Sequence, residues 1–97
     1  MINSKQRSYL KKLAHSIEPI FQVGKAGVTP EVTSAINDAL EARELIKINV
    51  LKNCIYEPKE VGITLSERTR SEMVMAIGRK VILYRESKEN PEIKLPK

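Results

Sequence analysis

Tryptophan is absent from this sequence, and aromatic residues make up only 4% of it. Any core must therefore be built from aliphatic side chains. Cys54 is the sole cysteine. It can form no internal disulfide, and no Cys/His cluster has metal-ligand spacing. Such sparing use of thiols fits a reducing compartment, the cytoplasm. No apolar run approaches membrane-spanning length. Residues Met1 to Arg7 are polar with no apolar stretch behind them, so no secretory leader is expected. Paired carboxylates and a nucleophile elbow are also missing, and His15, the one histidine, has no acid or nucleophile partner in the pattern. The chain is too short to enclose much of a pocket. These gaps point away from an enzyme and from any cofactor or metal.

What is present is ordinary for a folded protein: 97 residues, 41% hydrophobic and 30% charged. That length suits one domain over residues 1–97. A domain of this size buries about two thirds of its unfolded surface, enough for one modest core. The formal charge is +5 and the pI about 9.5. This balance favours polyanionic partners, although a surface kept merely soluble can carry as much.

Ser4 suits a helix N-cap. Leu10, Leu13, Ala14 and Ile17 then recur at helical spacing. Lys5, Ser8 and Lys12 fall opposite, with Arg7, Lys11 and His15 along one flank, and Pro19 ends the helix. Ile20 to Val23 reads as a short buried strand. Thr29, Pro30 and Glu31 suit N-cap, first helical position and first turn. Val32, Ala35, Ile36, Ala39 and Leu40 supply the buried stripe of that second helix, and Glu31, Ser34, Asp38 and Glu41 an acidic outer face. The alternation from Glu44 to Leu51 predicts a strand with one face covered and one open. Residues 53–70 fit two patterns. Pro58 could open a helix containing Val61, Leu65 and Arg68, yet Val61, Ile63 and Leu65 alternate like a strand, and Gly62 weakens a helix by about 1 kcal/mol relative to Ala. Pattern alone favours helix slightly. Met73 to Ile77 and Val81 to Tyr84, separated by Gly78-Arg79-Lys80, read as a hairpin. The polar tail, residues 86–97, should lie on the surface or be mobile. The predicted order is α-β-α-β-α-β-β: an α/β, two-layer domain with helices packed on a sheet.

Three basic features could carry chemistry. Gly24-Lys25-Ala26-Gly27 joins a strand to a helix. Two glycines three apart allow a sharp turn and close approach to a ligand, and the next helix would aim its free N–H groups at the same place. Lys25 adds a charge at the tip. This suits phosphates of a single strand or loop, as in the KH domain. A lone G-x-x-G is equally well a tight turn with no ligand. It is neither a nucleotide P-loop nor a dinucleotide fingerprint. The hairpin tip, Arg79 and Lys80 with Arg85, and the basic side of the first helix, Lys5, Arg7, Lys11 and Lys12, would each pass alone for a solvated surface. Their coincidence in one small chain, with acidic residues gathered elsewhere, suggests a footprint.

Leu10 to His15, Val23 to Thr29, Ala39 to Glu41 with Glu44 to Lys47, and Ile77 to Arg85 closely resemble the YhbY-like proteins, free-standing bacterial CRM domains. Ile93-Lys94-Leu95-Pro96 resembles their ending. The resemblance covers nearly the whole chain in the same motif order. It implies a four-stranded mixed sheet similar to the C-terminal domain of translation initiation factor three, with the segment before Arg70 helical. It implies RNA binding through Gly24, Lys25, Ala26 and Gly27, with Lys11 and Lys12 on the first helix and Arg79, Lys80 and Arg85 around the hairpin. It also implies association with ribosomal RNA of large-subunit precursors. One departure is Thr69-Arg70, where the family often has Thr-Gly; with Gly62 it leaves the third helix's boundary open.

The expectation is thus a monomeric, cytoplasmic RNA-binding protein assisting large-subunit assembly, with no small-molecule substrate. The rivals are a ribosome-associated adaptor using the open sheet face for protein contacts, and an enzyme acting on RNA through His15. A membrane role for the first helix would need Leu10, Leu13 and Ile17, which the core requires.

Overall fold

The structure is a computed structural model, and it describes residues 2–97. Helix α1 spans Ser4–Ala14, strand β1 Phe21–Val23, helix α2 Pro30–Arg43, strand β2 Leu45–Val50, helix α3 Pro58–Thr69, strand β3 Glu72–Ile77 and strand β4 Lys80–Tyr84. The element order is the expected one, and the ambiguous middle segment is a helix.

The strands form one sheet in the order β1-β2-β4-β3. β1 runs parallel to β2, while β4 is antiparallel to both β2 and β3, so the sheet is mixed. Because side chains alternate across a strand, β2 and β4 each serve two faces. Ile46, Ile48, Val50, Val81 and Leu83 point toward α2 and α3, where they pack with Ile36, Leu40, Val61 and Leu65. Leu45, Ile82 and Tyr84 point the other way, onto Leu10 and Ala14 of α1. The sheet and the α2–α3 pair make the two expected layers. α1 lies on the opposite face, where Ile93 and Leu95 of the tail join it.

Local chemistry sets the helix ends. The cap of α1 is Asn3, one residue before the expected Ser4. The Asn3 side chain accepts from the Gln6 N–H at 2.8 Å, and Gln6 Oε1 accepts from the Asn3 N–H at 3.0 Å. That reciprocal pair needs a polar side chain three residues on, which Asn3 finds in Gln6. α2 starts as predicted, with the Thr29 hydroxyl oxygen accepting from the Val32 N–H and Pro30 at the first position. α3 ends at Thr69, and Arg70 takes φ 55° and ψ 45°, the left-handed conformation in which glycine is at ease. Gly62 sits where α3 presses on the sheet. A Cβ there would lie 2.5 Å from Met73 Sδ and 2.9 Å from Val81 Cγ1.

β3 is an edge strand with a bulge: Met73 pairs with Leu83 and Met75 with Ile82, leaving Val74 extra. Arg7 covers the irregularity. Its Nη1 donates to the carbonyls of Met73 at 2.7 Å and Val74 at 2.9 Å. Arg7 is thus bound to the fold and is not a free cation of α1.

The tail is polar and runs over the surface, but it is tied down. Glu44, the residue after α2, is buried at φ 68° and ψ −44°, a strained conformation for a non-glycine residue. Its carboxylate accepts from the N–H groups of Ser87, Glu92 and Ile93 at 2.8, 2.9 and 2.8 Å. Glu41, one turn earlier, accepts from the Ser87 hydroxyl and the Lys88 and Glu89 N–H groups. Glu44 therefore closes α2 and does not begin β2.

Candidate nucleic-acid interface

The Gly24–Gly27 turn follows β1. It is closed by the Gly27 N–H donating to the Gly24 carbonyl at 2.9 Å. Lys25 and Ala26 are exposed at its tip. The glycines serve the fold more than an approaching ligand. A Cβ on Gly24 would stand 3.2 Å from Asn53 Oδ1 and 3.3 Å from Leu51 Cδ1, and one on Gly27, at φ 71°, 3.3 Å from Tyr56 Cε2. Close approach is thus made by the chain's own β2–α3 connection. The expected row of free helix amides is also shorter than the sequence suggested. Pro30 has no N–H, the Val32 N–H is capped, and the Thr33 N–H donates to the Thr29 carbonyl. Of the first four residues of α2, only Glu31 has an amide without a partner among the described residues, and its carboxylate stands beside it.

The hairpin tip lies at the same end of the sheet. Leu51 links the two: its N–H donates to the Val23 carbonyl at 2.8 Å, and its carbonyl accepts from Arg79 Nη2 at 2.8 Å. Arg79 Nε donates to the Val50 carbonyl at 2.8 Å. Arg79 thus fastens the tip to the base of the glycine turn, with much of its donor capacity spent on the backbone.

Lys80 pairs with Asn49 across β4 and β2 and faces the α1 side of the sheet. There Lys80, Lys47, Lys11 and His15 rim a groove of about 170 Å³ floored by Ala14, Met75, Ile77 and Ile82. No acidic residue lines it. Lys47 and His15 were not among the predicted site residues. The alternation of β2 marked Lys47 as open-facing, but only the β2–β4 pairing and the seat of α1 bring it beside Lys80 and Lys11. Lys12, exposed on α1, does not line the groove.

Arg85 lies elsewhere. In the register Lys80 sits opposite Asn49 and Tyr84 opposite Leu45, so Arg85, just past β4, is at the other end of the sheet. Its Nη1 donates to Asn37 Oδ1 at 2.6 Å and the Thr69 carbonyl at 2.8 Å, its Nη2 to the Asn37 carbonyl at 3.1 Å. It also stands 3.9 Å from Glu41. Sequence grouped Arg85 with Arg79 and Lys80 because they share a hairpin; a strand's length separates them in space.

On the other side of the glycine turn, Ala26, Val28 and Tyr56 face Glu60, Val61, Thr64 and Arg68 of α3 across a cleft of about 280 Å³. Among the described residues no helix is long and apolar enough to cross a membrane, and no group of three or more His, Cys, Asp or Glu is placed to hold a metal ion.

These features define a small α/β domain with a glycine turn and a cation-rimmed groove at one end of a mixed sheet. The chain belongs to the CRS1/YhbY (CRM) domain family, whose model matches residues 2–85. It is 48% identical over 96 residues to the Bacillus subtilis (strain 168) protein named "Probable RNA-binding protein YqeI", covering 99% of this chain and 100% of that one. It is 37% identical over 97 residues to a Haemophilus influenzae protein named "RNA-binding protein", covering 99% and 96%. The solution structure of the hypothetical protein SAV1595 from Staphylococcus aureus superposes with a TM-score of 0.83 at 54% identity, covering 99% of this chain and 100% of that one.

Proposed function

We propose that this chain binds RNA without catalysing its chemistry, that its target is ribosomal RNA in precursors of the large subunit, and that it assists their assembly in the cytoplasm as a monomer. The observation that carries the RNA reading is the groove rimmed by Lys11, His15, Lys47 and Lys80, free of acidic lining, at the end of the sheet where Arg79 and Leu51 tie the hairpin tip to the turn that displays Lys25. Phosphates follow such a cationic track. The acidic residues Glu31, Asp38 and Glu41 belong to α2, on the other face of the sheet. The names of relatives in Bacillus subtilis and Haemophilus influenzae support RNA as the polyanion; the ribosomal target rests on the resemblance to YhbY-like proteins.

In this reading Lys25 and the exposed tip of the turn meet the backbone first, Lys11, Lys47 and Lys80 add phosphate contacts, and Lys12 extends the basic strip along α1. Arg79 acts by holding the turn and hairpin together. Phosphate contacts supply most of the affinity, and RNA shape or unpaired bases supply selectivity.

Binding to single-stranded RNA should weaken with salt by a slope of about −0.7 per phosphate contact. Lys25→Ala, Lys47→Ala and Lys80→Ala should each flatten it by about that amount. A wild-type curve indifferent to salt would sink the proposal. Sequencing RNA crosslinked to the protein in cells tests the ribosomal target, which fails if large-subunit precursor RNA is not enriched. A second reading, a protein-binding adaptor, draws on Ile77, 61% exposed at the hairpin. It gains if Lys25→Ala and Lys80→Ala leave ribosome association unchanged while they weaken binding to isolated RNA.

A further inference from the structure

We propose that the cleft between the glycine turn and α3 receives a single unpaired base of the bound RNA, stacked on the Tyr56 ring. The inference rests on the RNA reading above and goes beyond it, by assigning a base-reading slot to residues that lie outside the cationic groove.

The setting of Tyr56 is the first observation. The chain has only four aromatic residues. Phe21 packs against the core, Tyr84 is buried, and Tyr9, 37% exposed, belongs to α1. Tyr56 is 49% exposed, yet its ring is held in place. The bare Cα of Gly27 lies so close that an added Cβ would be 3.3 Å from Cε2 and 3.5 Å from Cδ2. One part of the ring is fixed against the turn and the rest is open. A half-exposed aromatic already held in position is a stacking platform, and stacking is how proteins hold bases that are not paired.

The second observation is the chemistry of the walls. Ala26, Val28 and Val61 are apolar, while Glu60, Thr64 and Arg68 bring polar groups to the same space. Those three stand four residues apart on α3, on one face of the helix. They offer a carboxylate acceptor, a hydroxyl that donates or accepts, and guanidinium donors. One Arg68 donor makes a long bond of 3.3 Å to the Val28 carbonyl, so the others remain available. Glu60 argues against a phosphate here, because a carboxylate repels it. A mixed set of donors and acceptors above an apolar, aromatic wall matches a base edge and face.

The third observation is position. Ala26 belongs both to the exposed tip of the turn and to the cleft wall. α3 packs on one face of the sheet and α1 on the other. A strand whose backbone meets Lys25 can therefore send phosphates toward the Lys11–Lys80 groove and turn one base into the cleft. The sharing of labour is electrostatic: a rim of one sign for the backbone, a mixed site for the base.

The test uses the full chain with a labelled single-stranded RNA 12-mer containing 2-aminopurine, and with its duplex. Tyr56→Ala should lower single-strand affinity about tenfold, leave duplex affinity and the salt slope unchanged, and remove the quenching of 2-aminopurine. Tyr56→Phe should keep all three properties. Thr64→Phe, which fills the cleft from α3 and leaves Tyr56 intact, should reproduce the Tyr56→Ala result; thermal melts verify that each variant is folded. The slot is overturned, with the RNA reading intact, if folded Tyr56→Ala and Thr64→Phe bind the single strand like wild type while Lys25→Ala and Lys80→Ala bind it more weakly. It is also overturned if the wild type binds only the duplex. A wild type that binds neither RNA overturns both.

Discussion

The Ile93 N–H donates to a Glu44 carboxylate oxygen at 2.8 Å, across 49 positions of sequence. With the Ser87 and Glu92 amides on the same carboxylate, the end of α2 becomes the anchor of the tail. Glu44→Ala leaves three backbone donors to find water and releases Ile93 and Leu95 from the α1 face. The expected cost is about 2 kcal/mol, read from urea denaturation. Hydrogen exchange should quicken at residues 87–93 before it does in the sheet. Unchanged protection there would contradict the anchor.

The same carboxylates make stability depend on pH. The backbone N–H groups of Glu89 and Lys88, the Ser87 hydroxyl and the Arg85 guanidinium hold Glu41 near 2, against an ordinary 4.5, with burial opposing them. For Glu44 burial raises the pKa, but the three backbone donors outweigh it and leave it below the ordinary value. Both groups titrate lower in the folded chain than in the unfolded one. Their contribution is therefore complete above the ordinary carboxylate range and is lost as pH falls from about 4.5 toward 2. The urea midpoint should fall steadily through that window, and Glu41→Gln should flatten the fall. A Glu41→Gln profile parallel to wild type would show that the carboxylate does not carry it.

Gly62→Ala should destabilise the protein although it improves helix propensity. The propensity gain is about 1 kcal/mol. Against it, the new methyl enters space held by Met73 and Val81, and overpacking of that kind costs about 1–3 kcal/mol. Met73→Ala in the same background relieves the closest contact, so the double variant should recover part of the loss. The check is the melting temperature of the three variants.

Arg79 and Arg85 should part company on substitution. Arg85→Ala removes donors to Asn37 and Thr69 and should lower stability by about 1–3 kcal/mol, with RNA affinity per folded molecule unchanged. Arg79→Ala unties the hairpin tip from Val50 and Leu51 and should weaken both. Binding titrations corrected for the folded fraction separate the two outcomes. A binding defect in folded Arg85→Ala would return that residue to the interface.

Much of the architecture was legible because it is written locally. Thr29-Pro30 announces a helix start, Gly78-Arg79-Lys80 a hairpin turn, and the alternation of β2 a strand with two different faces. The seven elements follow from such signals once the resemblance resolves α3. The cap of α1 was placed one residue late because Ser4 is as good a cap in isolation as Asn3; the choice falls to Gln6. The candidate site is only partly legible. Charge marks Lys11, Lys25 and Lys80 in the sequence, and the structure places Lys11 and Lys80 on one groove. Charge alone does not single out Lys47, whose meaning depends on which strand lies beside which. In sequence Tyr56 is one of three tyrosines, with Tyr9 and Tyr84, that could stack on a base or belong equally to core or rim; what packs against Gly27 sets it apart. Arg85 misled for the same reason in reverse: neighbours along a chain can be far apart once a strand separates them. The tail looked unattached because an anchoring carboxylate in mid-chain has no sequence signature.

The edge of β3 has a consequence for how the molecule meets copies of itself. An exposed strand border normally offers a ladder of acceptors onto which another chain can zip. Here Val74 breaks the spacing of that ladder, and the Arg7 guanidinium already occupies two of its carbonyls. A would-be fifth strand at this border arrives to find the rungs uneven and taken, which guards the protein against sheet-to-sheet fibre growth through β3 at high concentration.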